Sequence, residues 1–250
     1  MKLSKTQRER YARTIALPEV GADGQKRICN GKVLITGAGG LGSPAAFYLA
    51  AAGVGTIGIA DSDSVALDNL QRQILHRTAD VGRLKTESAR DTLKALNPEI
   101  KIETYALRVT DESVPDILRG YDFAIDATDN FASKFLLADA CHSARLAYSH
   151  AGVLGCWGQT MTVLPGNTAC YRCVFDSPPP EGEPSGSPTG ILGVVPGILG
   201  TIQATEAIKF LLGTGTLLTN TLLLFDALRM RFRRVEVRRN PDCPLCGPKS

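Results

Sequence analysis

Three histidines in 250 residues, none spaced from another as metal ligands are, leave little material for a histidine-based metal centre. No Ser/His/Asp arrangement can be assembled from the sequence either. Long apolar runs are missing: none approaches the roughly 18 residues that cross a bilayer, so no membrane partner is expected. The opening MKLSKTQRER lacks the apolar stretch of a secretion signal, and the expected location is cytoplasmic. Excess charge is also slight. Lys+Arg number 28 against 25 Asp+Glu, a net +3 that gives no argument for a nucleic-acid partner. There is no internal repeat. What remains is an ordinary globular composition, 44% hydrophobic and 21% charged, with a mean hydropathy of -0.01. Seven cysteines, an odd number in a chain expected in a reducing compartment, read as metal ligands or free thiols rather than disulfides.

The order of elements predicts an α/β fold. Lys32-Val33-Leu34-Ile35-Thr36 reads as a buried strand entering a glycine cluster, and Ser43-Pro44 opens a helix that runs to Gly53. Strands follow at Gly55 to Ala60, Ile100 to Ala106 and Tyr121 to Asp126, with an extended stretch from Leu146 to Ala151. Between them lie helices at Asp80 to Leu96, Ser113 to Arg119 and Phe131 to Ala144. This alternation predicts a Rossmann-like, doubly wound parallel sheet. After Gly152 the pattern changes. Gln159 to Leu164, Leu222 to Phe225 and Met230 to Val237 read as antiparallel strands around one helix, Gly197 to Leu212. The whole is therefore expected to be one mixed sheet with a parallel front half and an antiparallel back half. A proline-rich stretch, 176–190, is expected to be a mobile loop.

Gly37-Ala38-Gly39-Gly40-Leu41-Gly42 fits G-x-G-x-x-G in the context that gives the pattern meaning, after a strand and before a helix. Backbone N–H groups there can approach a phosphate at the helix N-terminus. Asp61 ends the next strand about 20 residues on, where a carboxylate can accept from ribose hydroxyls. The motif indicates a nucleotide without saying which. Asp68-Asn69-Leu70-Gln71-Arg72-Gln73 and Lys85 then bring an amide and two cations behind the ribose strand, which suits a triphosphate better than a dinucleotide. The alternative is a solvated face carrying Arg72, Arg77, Arg83 and Lys85. At the end of the fourth strand, Asp126-Ala127-Thr128-Asp129-Asn130 puts Asp126 or Asp129 beyond the carboxyl end of the sheet, where either can hold Mg²⁺ between phosphates. The alternative is that Asp129 or Asn130 only caps the following helix.

Cys170-Tyr171-Arg172-Cys173 and Cys243-Pro244-Leu245-Cys246 form two C-x-x-C pairs, which together can close a structural Zn²⁺ site. With four protein ligands that ion is not catalytic; it ties the C-terminal segment to the middle of the chain. Of the others, Cys141 is expected in the core, and Cys29 and Cys156 have less defined surroundings.

These residues resemble the bacterial MoeB/ThiF/HesA enzymes, relatives of the ubiquitin-activating enzymes. The shared text is Arg10-Tyr11-Ala12-Arg13, the GAGGLG loop, Asp61-Ser62-Asp63, Asn69 to Gln73, Gly82 to Lys85, Ala127 to Asn130 and both C-x-x-C pairs. The resemblance implies a single adenylation domain over 1–250, with an N-terminal helical arm (1–30), a nucleotide-binding half (31–152) and a carrier-binding half (153–250). It implies a homodimer that uses ATP and Mg²⁺ to adenylate the C-terminal glycine carboxylate of a ubiquitin-like sulfur carrier of the MoaD or ThiS type, serving molybdopterin or thiamin biosynthesis. Gly37, Gly39, Gly40 and Gly42 would lie against the nucleotide and Asp61 would hold the ribose. Asn69, Arg72 and Lys85 would contact phosphates, with Asp63, Gln73 and Asn130 in the same site and Asp129 near Mg²⁺. Arg13 would act on the neighbouring subunit's ATP. Many relatives keep a cysteine just before the segment that here reads Gly190-Ile191-Leu192-Gly193. This chain has none between Cys173 and Cys243, and no rhodanese-like extension is expected after Ser250. The expectation is adenylation alone, with a separate sulfur donor protein.

Three other readings stand beside this one. Another carboxylate, a peptide C-terminus or a modified tRNA base, would be adenylated by the same groups. An NAD-linked oxidoreductase with a zinc knuckle fits the glycine loop but leaves Asn69 to Gln73 and Ala127 to Asn130 without a task. A non-catalytic zinc-bearing binding module leaves Lys85 and Asp129 without one. Arg229 to Arg234 alternates charge with apolar residues, as a solvated strand face or as a dock for an acidic carrier.

Overall fold

The computed structural model describes residues 3–177 and 190–247. Strand β1 (Lys32–Thr36) is apolar at successive positions because both its faces are covered: Val33 and Ile35 enter one core, Leu34 the other. It pairs in parallel with β2 (Thr56–Ala60) on one edge and with β4 (Phe123–Asp126) on the other. Outside these lie β3 (Lys101–Tyr105) and β5 (Ala147–Leu154), also parallel. From β5 the sheet continues antiparallel through β6 (Trp157–Val163), β7 (Thr221–Asp226) and β8 (Arg231–Glu236). The order β3-β2-β1-β4-β5-β6-β7-β8 is the expected mixed sheet, parallel and then antiparallel.

Two layers of helix cover it. On one face, α3 (Gly21–Asn30), α4 (Gly42–Ala52), α5 (Lys85–Leu96) and α8 (Val194–Leu212) bury Ile28, Leu49, Leu93 and Leu199 against the sheet. On the other, α6 (Val114–Leu118) and α7 (Phe131–Ser143) bury Ile117 and Phe135, and Cys141 is in the core as expected. The short α1 (Lys5–Arg10) and α2 (Ala12–Ile15) precede this body. They are fastened where Tyr11 meets the far end of α4: Asn97 Nδ2 donates to the Tyr11 hydroxyl at 2.9 Å and to the Ala50 carbonyl at 2.8 Å.

Two helix starts differ from expectation, and both bear on the site. The helix expected from Asp80 begins at Lys85. Gly82 takes φ +89°, which no helix admits, and its N–H donates to Val65 while Val65 donates to Arg83. A 3₁₀ turn over Thr78–Asp80 takes the place of the missing first turns. Lys85 therefore stands at the first helical position instead of mid-helix. The helix expected from Gly197 begins earlier, at Val194, because Pro196 lies in the first turn, where its missing N–H has no intrahelical acceptor to lose. The stretch expected to be mobile, 176–190, falls mostly on residues 178–189, which lie outside the described ones. Among the described residues no helix is long and apolar enough to cross a membrane.

Candidate functional site

The strand order changes direction between β1 and β4, because the chain moves to β2 on one side after β1 and to β5 on the other after β4. Their two outgoing loops must part, and the crevice between them is where ligands bind in sheets of this kind. The glycine loop leaves β1 there, and Ala127 to Asn130 leave β4. Gly37 abuts the second loop: a methyl group on it would lie 2.6 Å from the Ala127 carbonyl oxygen. A methyl group on Gly42 would overlap the Gly37 carbonyl oxygen, so that position must be glycine for α4 to start so close to β1.

Other segments close on the same loop. A substituent on Gly40 would meet Pro196 of α8 at 3.1 Å and Arg72 at 3.5 Å, and one on Gly39 would meet Gln73 Nε2 at 3.6 Å. Arg72 is half-buried and donates to the Asp68 carbonyl at 3.1 Å, with Asn69 half-buried beside it. Gln73 is buried, and its Oε1 has no partner among the described residues, an orphaned acceptor beside the glycine loop. Along the loop, the N–H groups of Gly39, Gly40 and Leu41 meet no acceptor among the described residues. Such a run of free donors at a helix start suits an anion.

The charged groups of the crevice are tied together. Asp61 accepts from the Ala38 N–H through one oxygen and from the Asp63 N–H through the other, both at 2.8 Å. Lys85 is buried but extends its ammonium to exposed Asp63 at 2.8 Å, which leaves two of its hydrogens for another acceptor. Asp129 is exposed, met among the described residues only by the Asn130 amide at 3.5 Å, so its carboxylate is open to a cation. Asn130 itself caps α7, its Oδ1 accepting from the Ser133 N–H at 2.9 Å. The structure thus brings Arg72 and Gln73 against Gly39 and Gly40 and the loop that carries Asp129 against Gly37, with Asn69 one turn before Arg72, Asp61 bonded to Ala38 and Lys85 bonded to Asp63. It does not bring Arg13, which is exposed on α2.

Asp126 and Asp129 part company. Asp126 is 1% exposed and its carboxylate is consumed inside the protein. It accepts from the ammonium of buried Lys134 at 3.3 Å, from His150 Nδ1 at 2.8 Å and from the Thr128 hydroxyl at 2.6 Å. Burial by itself would raise this carboxyl, but the Lys134 charge and the His150 bond outweigh it and hold it at about 2. Asp129 is therefore the carboxylate left for the crevice.

The four sulfurs of Cys170, Cys173, Cys243 and Cys246 all lie within 4.8 Å of one another. Cys170 is 3.7 Å from Cys173 and 3.5 Å from Cys243, and Cys173 is 3.4 Å from Cys246. A tetrahedral ion with Zn–S bonds of about 2.3 Å separates its sulfurs by roughly 3.8 Å, whereas a disulfide needs about 2.05 Å. The donor set and spacing therefore fit zinc. Arg172, between the first two cysteines, holds Asp139 of α7 through two bonds of 2.7 Å and fastens the knuckle to the body.

A model of the ThiF family matches residues 11–245. The chain belongs to the ThiF family. Its relatives include the SAMP-activating enzyme E1 of Haloferax volcanii, 44% identical over 99% of this chain and 92% of that protein. The sulfur carrier protein adenylyltransferase of Thermus thermophilus is 44% identical over 99% and 93% of the two chains. Among solved structures, E. coli MccB with ATP superposes with a TM-score of 0.83 at 27% identity, over 96% of this chain and 75% of that one. This ThiF-family protein is an adenylyltransferase, a class of activity that takes its adenylyl group from ATP.

Three residues around the ThiF-family site escaped sequence reasoning. Lys134 Nζ donates to the Thr128 carbonyl at 2.6 Å and the Ala151 carbonyl at 2.7 Å, joining the β4 loop to β5. Its one trace in the sequence is a lysine a turn beyond a capping asparagine. Gln203 of α8 donates to the Asp126 and Ser149 carbonyls, both at 2.9 Å, and left no signal because the crossing of α8 brings it there. His76, read only as buried or structural, hydrogen-bonds the glycine loop itself at Ala38.

Acid should weaken the fold in two stages. Burial lowers the pKa of both His76 and His150, so the unfolded chain takes up their protons first and stability falls below about pH 6.5. The depressed Asp126 carboxyl contributes fully above about pH 4, and that contribution disappears between about pH 4 and pH 2. Asp126→Asn, which leaves the Lys134 ammonium buried and unpaired, is expected to lose about 3 kcal/mol in urea unfolding at pH 7. Chelation under denaturing stress, or Cys173→Ser with Cys246→Ser, should release one zinc per chain by atomic absorption and lower the melting temperature.

Proposed function

We propose that this ThiF-family enzyme adenylates the C-terminal glycine carboxylate of a ubiquitin-like sulfur carrier, using ATP and Mg²⁺ and releasing pyrophosphate. The observation that carries the proposal is the crevice at β1 and β4. Three unpaired N–H groups lie along the glycine loop there, Arg72 packs on that loop at Gly40, and the neighbouring β4 loop, which abuts Gly37, carries the exposed carboxylate Asp129. The two relatives at 44% identity, named for SAMP activation and for a sulfur carrier protein, support the choice of acceptor.

In this mechanism the carrier's terminal carboxylate, already ionised near pH 7, attacks the α-phosphorus of ATP. A bond forms between carboxylate oxygen and phosphorus, the α–β anhydride bond breaks, and pyrophosphate leaves with the electron pair. No general base is required, which accords with the absence of a catalytic histidine. Arg72 and Lys85 act on the phosphate oxygens, where charge grows most, and so favour the transition state over the ground state. Asn69 and Gln73 supply amides to the same oxygens, the free N–H groups of the loop bind phosphate, and Asp61 and Asp63 border the ribose. Asp129, with Asn130 beside it, would hold Mg²⁺, which when bound neutralises charge on the phosphates.

We assign Arg13 to the partner copy's site in a homodimer. Tyr11 fastens the arm at the C-terminal end of α4, while the glycine loop lies at the N-terminal end. Eleven helical residues, roughly 16 Å, lie between them. An apolar groove of about 560 Å³ lined by Pro44, Ile74, Val194, Ile198, Ile202 and Phe232 supports the same assignment, since a second copy would cover it. Sulfur then comes from a separate donor protein whose sulfur nucleophile displaces AMP, because the sequence between Cys173 and Gly190 holds no cysteine. Residues 31–152 form the nucleotide half and 153–250 the carrier half in this reading, and the seven free cysteines support a cytoplasmic location. Likeness to MccB, solved with MccA, favours one second reading, that the acceptor is the carboxylate of another peptide.

The carrier dock is assigned to the open face of β5–β8. Register sets Leu154, Trp157, Asp226 and Arg231 in one row and Gln159, Leu224 and Arg233 in the next, with Leu154, Trp157 and both arginines exposed. Neither arginine has an ion-pair partner among the described residues. Carrier-dependent exchange of labelled pyrophosphate into ATP is the decisive assay. Exchange with a purified carrier is expected, and its absence with every carrier, alongside tight NAD binding, would sink the proposal. Charge reversal at Arg231 and Arg233 should raise KM for the carrier about tenfold or more and leave KM for ATP unchanged.

A further inference from the structure

Ala38 is held through both of its backbone polar groups. Its N–H donates to Asp61 Oδ2 at 2.8 Å, and its carbonyl lies 2.9 Å from His76 Nε2. A carbonyl only accepts, so Nε2 carries the proton. The other ring nitrogen lies 2.9 Å from the Ser88 hydroxyl on α5, and in the neutral ring it accepts from that hydroxyl. The Ala38 carbonyl thus sets the tautomer, and Ser88, which also hydrogen-bonds Asp80, holds the ring from its other side. All the peptide bonds described are trans. In a trans peptide the carbonyl and the following N–H point in opposite directions. With the Ala38 carbonyl drawn inward to a buried imidazole, the Gly39 N–H must point outward, and no acceptor among the described residues meets it. Nothing in the glycine loop itself enforces this orientation, because glycine resists a peptide flip less than any other residue.

We propose that His76 is a positioning residue for nucleotide binding: it locks the Ala38–Gly39 peptide so that the Gly39 N–H stands ready for the anionic ligand. This rests on the reading of the glycine loop as the ATP site. It also adds to that reading a residue that touches neither substrate nor metal. Without the latch, the peptide can rotate and the donor must be ordered at the moment of binding, at the expense of affinity.

The test is calorimetric titration of the full-length protein with ATP and Mg²⁺, with steady-state exchange kinetics alongside. His76→Leu, which cannot donate, is expected to weaken ATP binding by about tenfold or more and raise KM for ATP, with KM for the carrier unchanged. His76→Gln, whose amide places an N–H near the lost Nε2, is expected to return affinity to within about threefold of wild type. Ser88→Ala, a milder change that removes the second anchor of the imidazole, is expected to weaken ATP binding by about threefold and settles the matter if His76→Leu fails to fold. Unchanged ATP affinity in a folded His76→Leu protein, or in Ser88→Ala where that stands in for it, overturns the proposal. An equal rise of both KM values in His76→Leu assigns the residue to general stability and overturns it as well. Absence of ATP binding by the wild type overturns the ATP site itself and is thereby told apart from failure of the latch alone.

Discussion

Strand β1 pairs along both edges and is buried on both faces, so a ligand can meet it only at an end, and in sheets of this kind that is the carboxyl end. The same holds for β4 beside it, which lies between β1 and β5. Everything the site contains follows from that confinement. Two loops leave neighbouring strands in diverging directions, and the glycine loop can lie against the Ala127 carbonyl only because no side chain intervenes. Helix α8, arriving from the antiparallel half, closes the remaining side with Pro196 against Gly40. The back half of the sheet thus completes a crevice that the front half opens.

Charge is arranged around this crevice in two tiers. Beneath it, Asp126, Lys134 and His150 form a buried network in which one ammonium bonds the β4 loop, β5 and a carboxylate together. A paired, fully hydrogen-bonded charge of this kind fixes geometry more than it adds stability. Facing the crevice, Lys85 and Asp63 hold each other in the absence of ligand, and Asp61 occupies the Ala38 N–H. Lys85 is held by Asp63 with two hydrogens still free, and among the described residues Arg72 is bound only through a backbone carbonyl.

The cysteine knuckle works at a distance from this chemistry. Its four thiols converge between the segment at Cys170 and the C-terminal segment at Cys246, and Arg172 ties them to α7, the helix that starts at the Asp129 loop. Metal bound there would brace the far end of the same helix whose near end carries the crevice carboxylate. That coupling gives a structural ion a bearing on the site without any part in the reaction.

Local sequence fixed a good deal. G-x-G-x-x-G between a β-branched run and Ser43-Pro44 was enough for the strand–loop–helix unit, because glycine spacing and apolar runs report directly on backbone geometry. The C-x-x-C pairs were legible for a similar reason: ligand chemistry depends on residue type and short spacing. The helix start at Lys85 was not, since the positive φ of Gly82 is set by pairing with Val65, a partner the local pattern does not reveal. Nor was the choice between Asp126 and Asp129. Both sit at one strand end, and only the buried Lys134 and His150 decide that the first is internal and the second open. His76 shows the limit most clearly. Scarce histidine left little material for a histidine metal site, yet one of the three bonds the glycine loop, in a buried position that a serine on another helix also holds. By itself the sequence determined the residue types, the local turns and the family to which the chain belongs. The tertiary structure alone decided which of those side chains face the crevice and which hold it open, because that depends on contacts between segments far apart in the chain.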